Sequence, residues 1–172
     1  RRHSFPTRRS SDLVSPLQPI EILIGKTIPA IIISMAEGSI IIMAAIFIFG
    51  IPFTGSMLLL YFSMFFFICS IVGVGLFISS LCSTQQQAIL GTYVFMSPSV
   101  LLSGFATPIE NMPNWLQPLT YLIPLRYFLV IVKGIFLKAM PIGVVLNNTW
   151  PMAIIAVFTL TGATWLFRRR LE

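Results

Sequence analysis

Charged residues are scarce in this chain. Asp, Glu, Lys and Arg together make up 9% of its 172 residues, whereas apolar residues make up 56%. An ordinary soluble domain carries about 25% charged residues, so this chain has too few of them to cover a surface that faces water. The mean hydropathy of +0.92 therefore predicts an integral membrane protein. This class does not suggest nucleic-acid binding, even though the formal net charge is +6.

Residues that carry catalysis or bind metals are also scarce. His3 is the only histidine, and beyond residue 13 the acidic residues are Glu21, Glu37, Glu110 and Glu172, in different regions of the sequence. No Ser/His/Asp set, paired carboxylates or metal-ligand spacing results. Cys69 and Cys82 lie in or at the end of apolar runs, and we interpret them as buried free thiols. We therefore expect no catalytic residue, no metal and no cofactor in this chain.

The first 13 residues differ from the rest. They contain four of the eleven basic residues and one of the five acidic residues, so the remainder carries seven basic and four acidic residues, or +3. A basic arm that binds acidic lipids and a disordered tail are two interpretations. We favour a third, because residues 3–13 resemble the conceptual translation of a sequencing adapter. Residues 1–13 would then be a non-native tail, and the true N-terminus would be missing.

Four apolar segments are long enough to cross a bilayer, which takes about 20 residues. They run over about 28–49, 56–81, 88–109 and 150–167. A fifth apolar stretch, residues 119–137, is broken by Pro124 and carries Arg126 and Lys133. Charges at the bilayer centre are costly, at about 2.5–3.5 kcal/mol each. We therefore predict that this stretch does not cross but forms part of a re-entrant or interfacial helical pair.

The basic residues predict the topology. Lys26 precedes the first span, and Arg168, Arg169 and Arg170 follow the last. Basic flanks favour the cytoplasm, so both ends should be cytoplasmic and the number of crossings even. The predicted fold is an all-α polytopic membrane helical bundle, with four transmembrane helices and a re-entrant pair at about 113–138 on the outer side.

Polar and small residues within the spans suggest packing or transport. Glu37 is an intramembrane carboxylate, which suggests function by default. It could face a translocation path, pair with a basic group, or form a hydrogen bond to Ser34, to Ser39 or to the glutamines of another helix. In the second span, small side chains would let another helix approach closely, and they are Ser70, Gly73, Gly75 and Ser79.

Residues 16–26 precede the first span. This stretch begins with prolines, which suit a helix start, and it would be either an interfacial anchor or a helix that docks on a cytoplasmic partner. Its residues Gly25, Lys26 and Thr27 match the end of the phosphate-binding loop motif. That motif needs a glycine five residues earlier, where Ile20 stands. If ATP is used, we expect another chain to bind it.

Three segments carry a resemblance to a known family. They are SGFATPIENMPNWLQ at 103–117, LTYLIPLRYF at 119–128 and KGIFLK at 133–138. Residues 21–26, 52–56 and 85–88 also match in order. Over about residues 14–172, the chain resembles the ABC type-2 transporter permeases of the multidrug-efflux-like branch. It departs at Lys133, where arginine is usual, and at Ala139, where glycine is common. The first span, external domain and second span of that branch are absent, so the resemblance implies the C-terminal part of a six-span permease.

The resemblance implies roles for two regions. A coupling helix would dock on a separate ABC ATPase subunit, with Pro19, Glu21, Leu23, Gly25 and Lys26 at the contact. The re-entrant region would close the outer side of the path, with an outer gate formed by Pro113, Pro124, Arg126, Tyr127, Lys133 and Lys138. Arg126, Lys133 and Lys138 could instead only snorkel to lipid headgroups. A second permease chain would complete the pathway in a bacterial inner membrane.

Export of drugs or other amphipathic compounds is the leading hypothesis. A lipid or polysaccharide exporter permease is an alternative of the same class. A structural or assembly subunit without a transport path is an alternative from a different class. Glu37 and the charged re-entrant pair are weak arguments against it. A membrane-embedded enzyme would need an acid, base or metal set that this sequence does not offer.

Overall fold

The computed structural model describes residues 19–171, and the side chains of residues 21–169. The described residues form helices and no strand, which confirms the predicted all-α bundle. The suspected tail, residues 1–13, lies outside the described residues. The elements in chain order are α1 (Pro19–Phe47), α2 (Met57–Leu81), α3 (Gln85–Leu102), a 3₁₀ turn (Ile109–Asn111), α4 (Gln117–Thr120), α5 (Pro124–Lys138) and α6 (Ile142–Leu171).

Three of these helices are long and apolar enough to cross a membrane, where four spans were predicted. They are α1, α2 and α6, and the apolar parts lie within Glu21–Phe47, Met57–Leu81 and Ile142–Arg169. Helix α3 has 18 residues, and its first turn consists of glutamines, which lower its hydropathy. Its length of about 27 Å is close to the bilayer core, and its crossing stays a prediction.

The helix ends differ from the predicted span limits. Helix α3 stops at Leu102 rather than near residue 109, because Gly104 takes a left-handed conformation with φ of 86°. Helix α6 begins at Ile142 rather than near residue 150. Its polar start is tolerated because Asn148 donates to the carbonyl of Val144 and Thr149 donates to that of Val145.

Helix α1 joins two segments that the sequence separates. The predicted docking helix over 16–26 and the predicted span over 28–49 form one continuous helix from Pro19 to Phe47, and residues 16–18 lie outside the described residues. The Thr27 hydroxyl donates to the Leu23 carbonyl at 2.7 Å within that helix. Pro29 lacks the amide hydrogen that would bond to the Gly25 carbonyl. One backbone hydrogen bond is therefore missing where the two predicted segments meet, but the helix continues.

Helices α2 and α6 form the tightest pair. The hydroxyls of Ser63 and Thr149 lie 3.4 Å apart, and the Ser70 hydroxyl donates to the Met152 carbonyl at 2.6 Å. Further along, Gly73 lies against Thr159. Because residue numbers rise together along both helices, α2 and α6 run in the same direction. Small residues allow this approach, as is usual between membrane helices.

The small-residue face differs in part from the one predicted. Ser70 and Gly73 lie in the α2–α6 interface, but an added Cβ at Gly75 would have nothing within 4 Å. Ser79 is exposed, and Ser63 and Ser80 are buried. The helical repeat explains the difference, because residues 63, 70 and 73 share one side of α2 whereas residues 75 and 79 point elsewhere.

The connections give the bundle two distinct ends. Helix α1 turns back into α2 through residues 48–56, and α2 turns into α3 through residues 82–84. The N-terminus of α1 and the C-termini of α2 and α6 therefore share what we call the basic end, with Lys26, Arg168 and Arg169. The opposite end, called the loop end, holds residues 48–56, 103–116 and 139–141.

Candidate functional site

A cavity of about 440 Å³ lies between α1, α2, α3 and α5. Helix α1 supplies one wall with Ser34, Glu37 and Gly38, and α5 contributes its first turns. Apart from Ser99, the rest of the wall is apolar and rich in phenylalanine, with Phe67, Phe95, Phe128 and Phe136. Ligand sites in proteins are commonly concave, mostly apolar and of about 300–1,000 Å³, so the cavity is large enough for a small organic molecule.

Among the residues that the structure describes, Glu37 is the only ionisable side chain that lines this cavity. It makes no hydrogen bond or ion pair with any residue that the structure describes. The neighbouring Ser39 hydroxyl donates to the Met35 carbonyl at 2.8 Å, and Gly38 fits against the Met64 side chain. Glu37 is exposed and presents a carboxylate at the cavity wall. Its place on a translocation path stays a prediction.

Helix α5 lies within the bundle without crossing it. The ring of Phe128 stacks on that of Phe67 with centroids 4.3 Å apart, and the ring of Phe136 meets that of Phe53 edge-on at 5.2 Å. Helix α5 therefore runs opposite to α2. Phe67 lies ten residues into α2, or about 15 Å along it. The chain thus enters from the loop end, reaches about the middle of α2 and returns. We call α4 and α5 the re-entrant pair, and their position in a membrane stays a prediction.

Arg126 and Tyr127 hold the turn between α4 and α5. The Arg126 guanidinium donates to the Thr120 hydroxyl and lies 4.1 Å from the centroid of the Tyr121 ring. The Tyr127 hydroxyl donates to the Tyr121 carbonyl at 3.0 Å. Pro124 is buried in the first turn of α5, where its missing amide hydrogen costs nothing. Two residues of the predicted gate thus position the tip of the re-entrant pair.

The other predicted gate residues do not join this cluster. Lys133, Lys138 and Pro113 are exposed, and none of them lines the cavity. Lys133 lies seven residues beyond Arg126 on the same helix, about 10 Å away along its axis. Only Pro124, Arg126 and Tyr127 are brought together, and the gate function of all six stays a prediction.

The predicted docking residues lie at the basic end. Glu21, Gly25 and Lys26 are exposed, whereas Leu23 is buried. The side chain of Pro19 lies outside the described part of the structure. At the same end, the Arg169 guanidinium lies 4.2 Å from the centroid of the Trp165 ring. Glu21 and Glu37 are 16 residues apart on one helix, about 24 Å, so the docking segment and the cavity are well separated.

Thr54 is a positioning residue that the sequence did not reveal. Its hydroxyl oxygen lies 3.0 Å from the Phe136 carbonyl and 3.3 Å from that of Ile135, and it accepts from the amide of Ala139 at 3.1 Å. Ala139 ends α5 with φ of 44°. These partners are more than 80 residues away in sequence, so no local pattern could have indicated the contact. Thr54 ties the α1–α2 loop to the end of the re-entrant pair.

Within residues 19–171, no group of three or more His, Cys, Asp or Glu is placed to hold a metal ion. The polar side chains of the cavity wall are the Glu37 carboxylate and the hydroxyls of Ser34 and Ser99, within a mostly apolar surface.

Comparison with known proteins supports the resemblance. The chain is 48% identical over 158 residues to the protein named probable multidrug ABC transporter permease YbhR of Escherichia coli, covering 92% of this chain and 43% of that protein. It is 35% identical over 155 residues to YbhS, which carries the same description, covering 88% and 41%. ABC transporter G family member 23 of Dictyostelium discoideum is 25% identical over 158 residues, covering 90% and 22%.

The chain thus spans less than half the length of these curated relatives. No solved structure matches it. The family model described as ABC-2 type transporter matches residues 10–137, which is most of the chain. The chain therefore belongs to the ABC-2 type transporter family.

Proposed function

We propose that this chain is part of the permease subunit of an ATP-driven exporter. The observation that carries the proposal is the phenylalanine-rich cavity within a membrane bundle, bordered by a helical pair that enters from one end and returns. The names of the relatives, multidrug ABC transporter permeases, point in the same direction. On this proposal the cavity is part of the translocation path.

The driving force would reach the cavity through α1. Its first turns carry the exposed residues Glu21 and Lys26 of the predicted docking segment, and its middle carries Glu37. Because one continuous helix connects the two, a displacement at its N-terminus would also move the cavity wall. ATP binding on a separate ATPase subunit would push this end, and the packed helices would shift between two arrangements.

The orientation follows from charge. Basic residues close to membrane spans favour the cytoplasm, so we place the basic end in the cytoplasm and the loop end outside. The C-terminus is then cytoplasmic, and the re-entrant pair closes the external side. We further propose that a second permease chain completes the path, that ATP is bound by the partner subunit and that this chain binds no cofactor.

The transported molecules would be drugs or other amphipathic compounds. A mostly apolar wall favours such molecules, because burial of apolar surface contributes roughly 25 cal/mol per Å². A long hydrophilic chain such as a polysaccharide would leave its hydroxyl groups without partners on this wall, which is costly.

Association with an ATPase tests the docking assignment. The full-length permease that contains this chain would be co-purified in detergent with the ATPase encoded beside it. We expect Glu21→Arg to lower the recovered ATPase several-fold, because it reverses a charge at the proposed contact. Glu110→Arg is the matched control, since Glu110 lies in the 3₁₀ turn at the loop end, and it should recover the ATPase as the parent does.

Two results would contradict the proposal at different levels. Unchanged recovery with Glu21→Arg would remove the docking assignment and leave the permease function open. Absence of any ATPase association with the parent chain, together with absence of ATP-dependent export, would overturn the exporter function itself.

A further inference from the structure

The charge distribution around the cavity is one-sided. Its wall includes one carboxylate, Glu37, and no lysine, arginine or histidine. Two basic residues are adjacent in sequence to the α5 part of the wall. Arg126 is engaged with Thr120 and the ring of Tyr121, and Lys133 is exposed and does not line the cavity. The described part of the protein therefore supplies no counterion to the Glu37 carboxylate inside the cavity.

A carboxylate in an apolar environment needs a partner. Removal of an ionised group from water is expensive unless an opposite charge or hydrogen-bond donors replace the lost hydration. The neighbouring Ser99 hydroxyl donates to the Phe95 carbonyl at 2.7 Å, within its own helix. Glu37 is exposed, and part of that exposure is toward the cavity. When an apolar molecule fills the cavity, the Glu37 carboxylate loses hydration on that side, and a positive charge on the molecule would replace what is lost.

The aromatic rings add a second preference for a cation. Phe67, Phe95 and Phe128 line the same cavity, and the faces of aromatic rings attract cations with about 0.5–2 kcal/mol. An apolar body is needed as well, because most of the wall is aliphatic or aromatic. The occupant that satisfies both requirements is a lipophilic cation with ring groups.

We propose that Glu37 is the charge-selecting residue of this cavity and that its preferred occupant is a lipophilic, ring-bearing cation taken from solution. This inference rests on the proposed exporter function and names the class of substrate. Glu37 would bind the cation as a counterion, and α5 would form the opposite wall with Phe128. A neutral molecule of the same shape would gain the apolar contacts without the ion pair.

The test compares two molecules of similar shape and different charge. The full-length permease, purified with its ATPase in nanodiscs of uncharged phospholipid, is titrated with methyltriphenylphosphonium and with triphenylphosphine oxide. We expect the cation to bind about tenfold more tightly than the neutral compound, as a single partly desolvated ion pair would provide. Glu37→Gln should abolish most of this difference and leave binding of the neutral compound nearly unchanged.

Two control variants separate charge selection from misfolding. Glu110→Gln removes the same charge outside the cavity and should retain the preference for the cation. Glu37→Asp keeps the carboxylate on a shorter side chain and should retain part of it. The proposal is overturned if Glu37→Gln weakens the binding of both compounds equally. It is also overturned if Glu110→Gln lowers the preference for the cation as much as Glu37→Gln does.

Other results would also overturn it. A parent protein that binds both compounds equally has no charge selection. A tightly co-purifying phospholipid that neither compound displaces would assign the cavity to lipid. ATP-dependent transport of either compound, measured on the same preparation, reports on the exporter function separately. Transport without charge preference would thus reject the inference alone, and no ATP-dependent transport of any compound would reject the function.

Discussion

Two glycines two positions apart in α2 have opposite surroundings. A Cβ added at Gly73 would collide with the Thr159 side chain and lie 3.2 Å from the Leu160 Cγ, whereas one added at Gly75 would meet nothing within 4 Å. Thr159 cannot move freely, because its hydroxyl donates to the Ile155 carbonyl at 2.8 Å. The closest approach of α2 and α6 therefore depends on the missing side chain of Gly73.

Alanine substitutions should separate these two glycines. We expect Gly73→Ala to lower the free energy of unfolding by about 1–3 kcal/mol, because overpacking forces the interface apart. Gly75→Ala should instead raise it by up to about 1 kcal/mol, the usual gain in helix propensity. Reversible unfolding by SDS in mixed micelles would measure both. Equal effects of the two substitutions would mean that the α2–α6 contact is not close at Gly73.

Arg126 and Lys133 are cations of the same helix with different surroundings. We expect Arg126→Gln to lower the free energy of unfolding by about 1–3 kcal/mol, because it removes a charged hydrogen bond to Thr120 and the contact with the Tyr121 ring. Lys133→Gln should change the free energy of unfolding by no more than about 0.5 kcal/mol, since Lys133 is exposed. Thermal unfolding of the two variants in detergent provides the comparison, and a larger loss with Lys133→Gln would refute the positioning role of Arg126.

At the scale of elements, the re-entrant pair is held at both of its ends. Its tip is fixed by Arg126 and Tyr127, and its return to the loop end is fixed by Thr54. The Gly55 Cα also lies close to α5, because an added Cβ would lie 2.8 Å from the Ile135 carbonyl oxygen. The α1–α2 loop is thus a part of the support of α5, and not merely a connection.

Removal of the Thr54 hydroxyl should loosen the end of α5. Thr54→Val keeps the shape of the side chain and removes the contacts to the Phe136 carbonyl and the Ala139 amide. We expect a loss of about 1–2 kcal/mol and faster hydrogen exchange over residues 135–140, measured by mass spectrometry. Thr54→Ser retains the hydroxyl and should exchange nearly as slowly as the parent. Unchanged exchange with Thr54→Val would exclude this support.

The whole molecule has its loops and its basic residues at opposite ends. Residue 107 lies at the loop end, and residue 83 lies in the α2–α3 turn at the basic end. Both are exposed. Whatever the orientation in the membrane, an impermeant reagent should therefore reach these two positions from opposite sides.

Cysteine labelling tests this topology. In a full-length chain with Cys69 and Cys82 replaced by serine, Thr107→Cys should react with an impermeant maleimide in intact cells. Ser83→Cys should react only after the cells are permeabilised, because the basic end is proposed to be cytoplasmic. Labelling of both positions in intact cells would show that α3 does not cross. The reversed pattern would invert the proposed orientation.

Composition and local pattern indicated much of this protein. The shortage of charge predicted a membrane protein, and the apolar runs located α1, α2 and α6. Pro124, Arg126 and Lys133 distinguished the segment that forms the short helix α5. Each of these depends on a local property, namely the cost of placing charge or unbonded backbone in lipid. The motif at 119–128 also carried the resemblance that the family match confirmed.

Tertiary structure decided the details that depend on distant residues. From the sequence, Glu37 could either face a translocation path or make contacts within the bundle. Only the arrangement of α1, α3 and α5 placed it at a cavity. Ser70 and Gly73 lie in the α2–α6 interface and Gly75 and Ser79 do not, because α6 packs against only one side of α2. Thr54 found partners more than 80 residues away. Sequence determines what each segment can bury, whereas contacts depend on which faces meet, and that is settled only when the helices pack together.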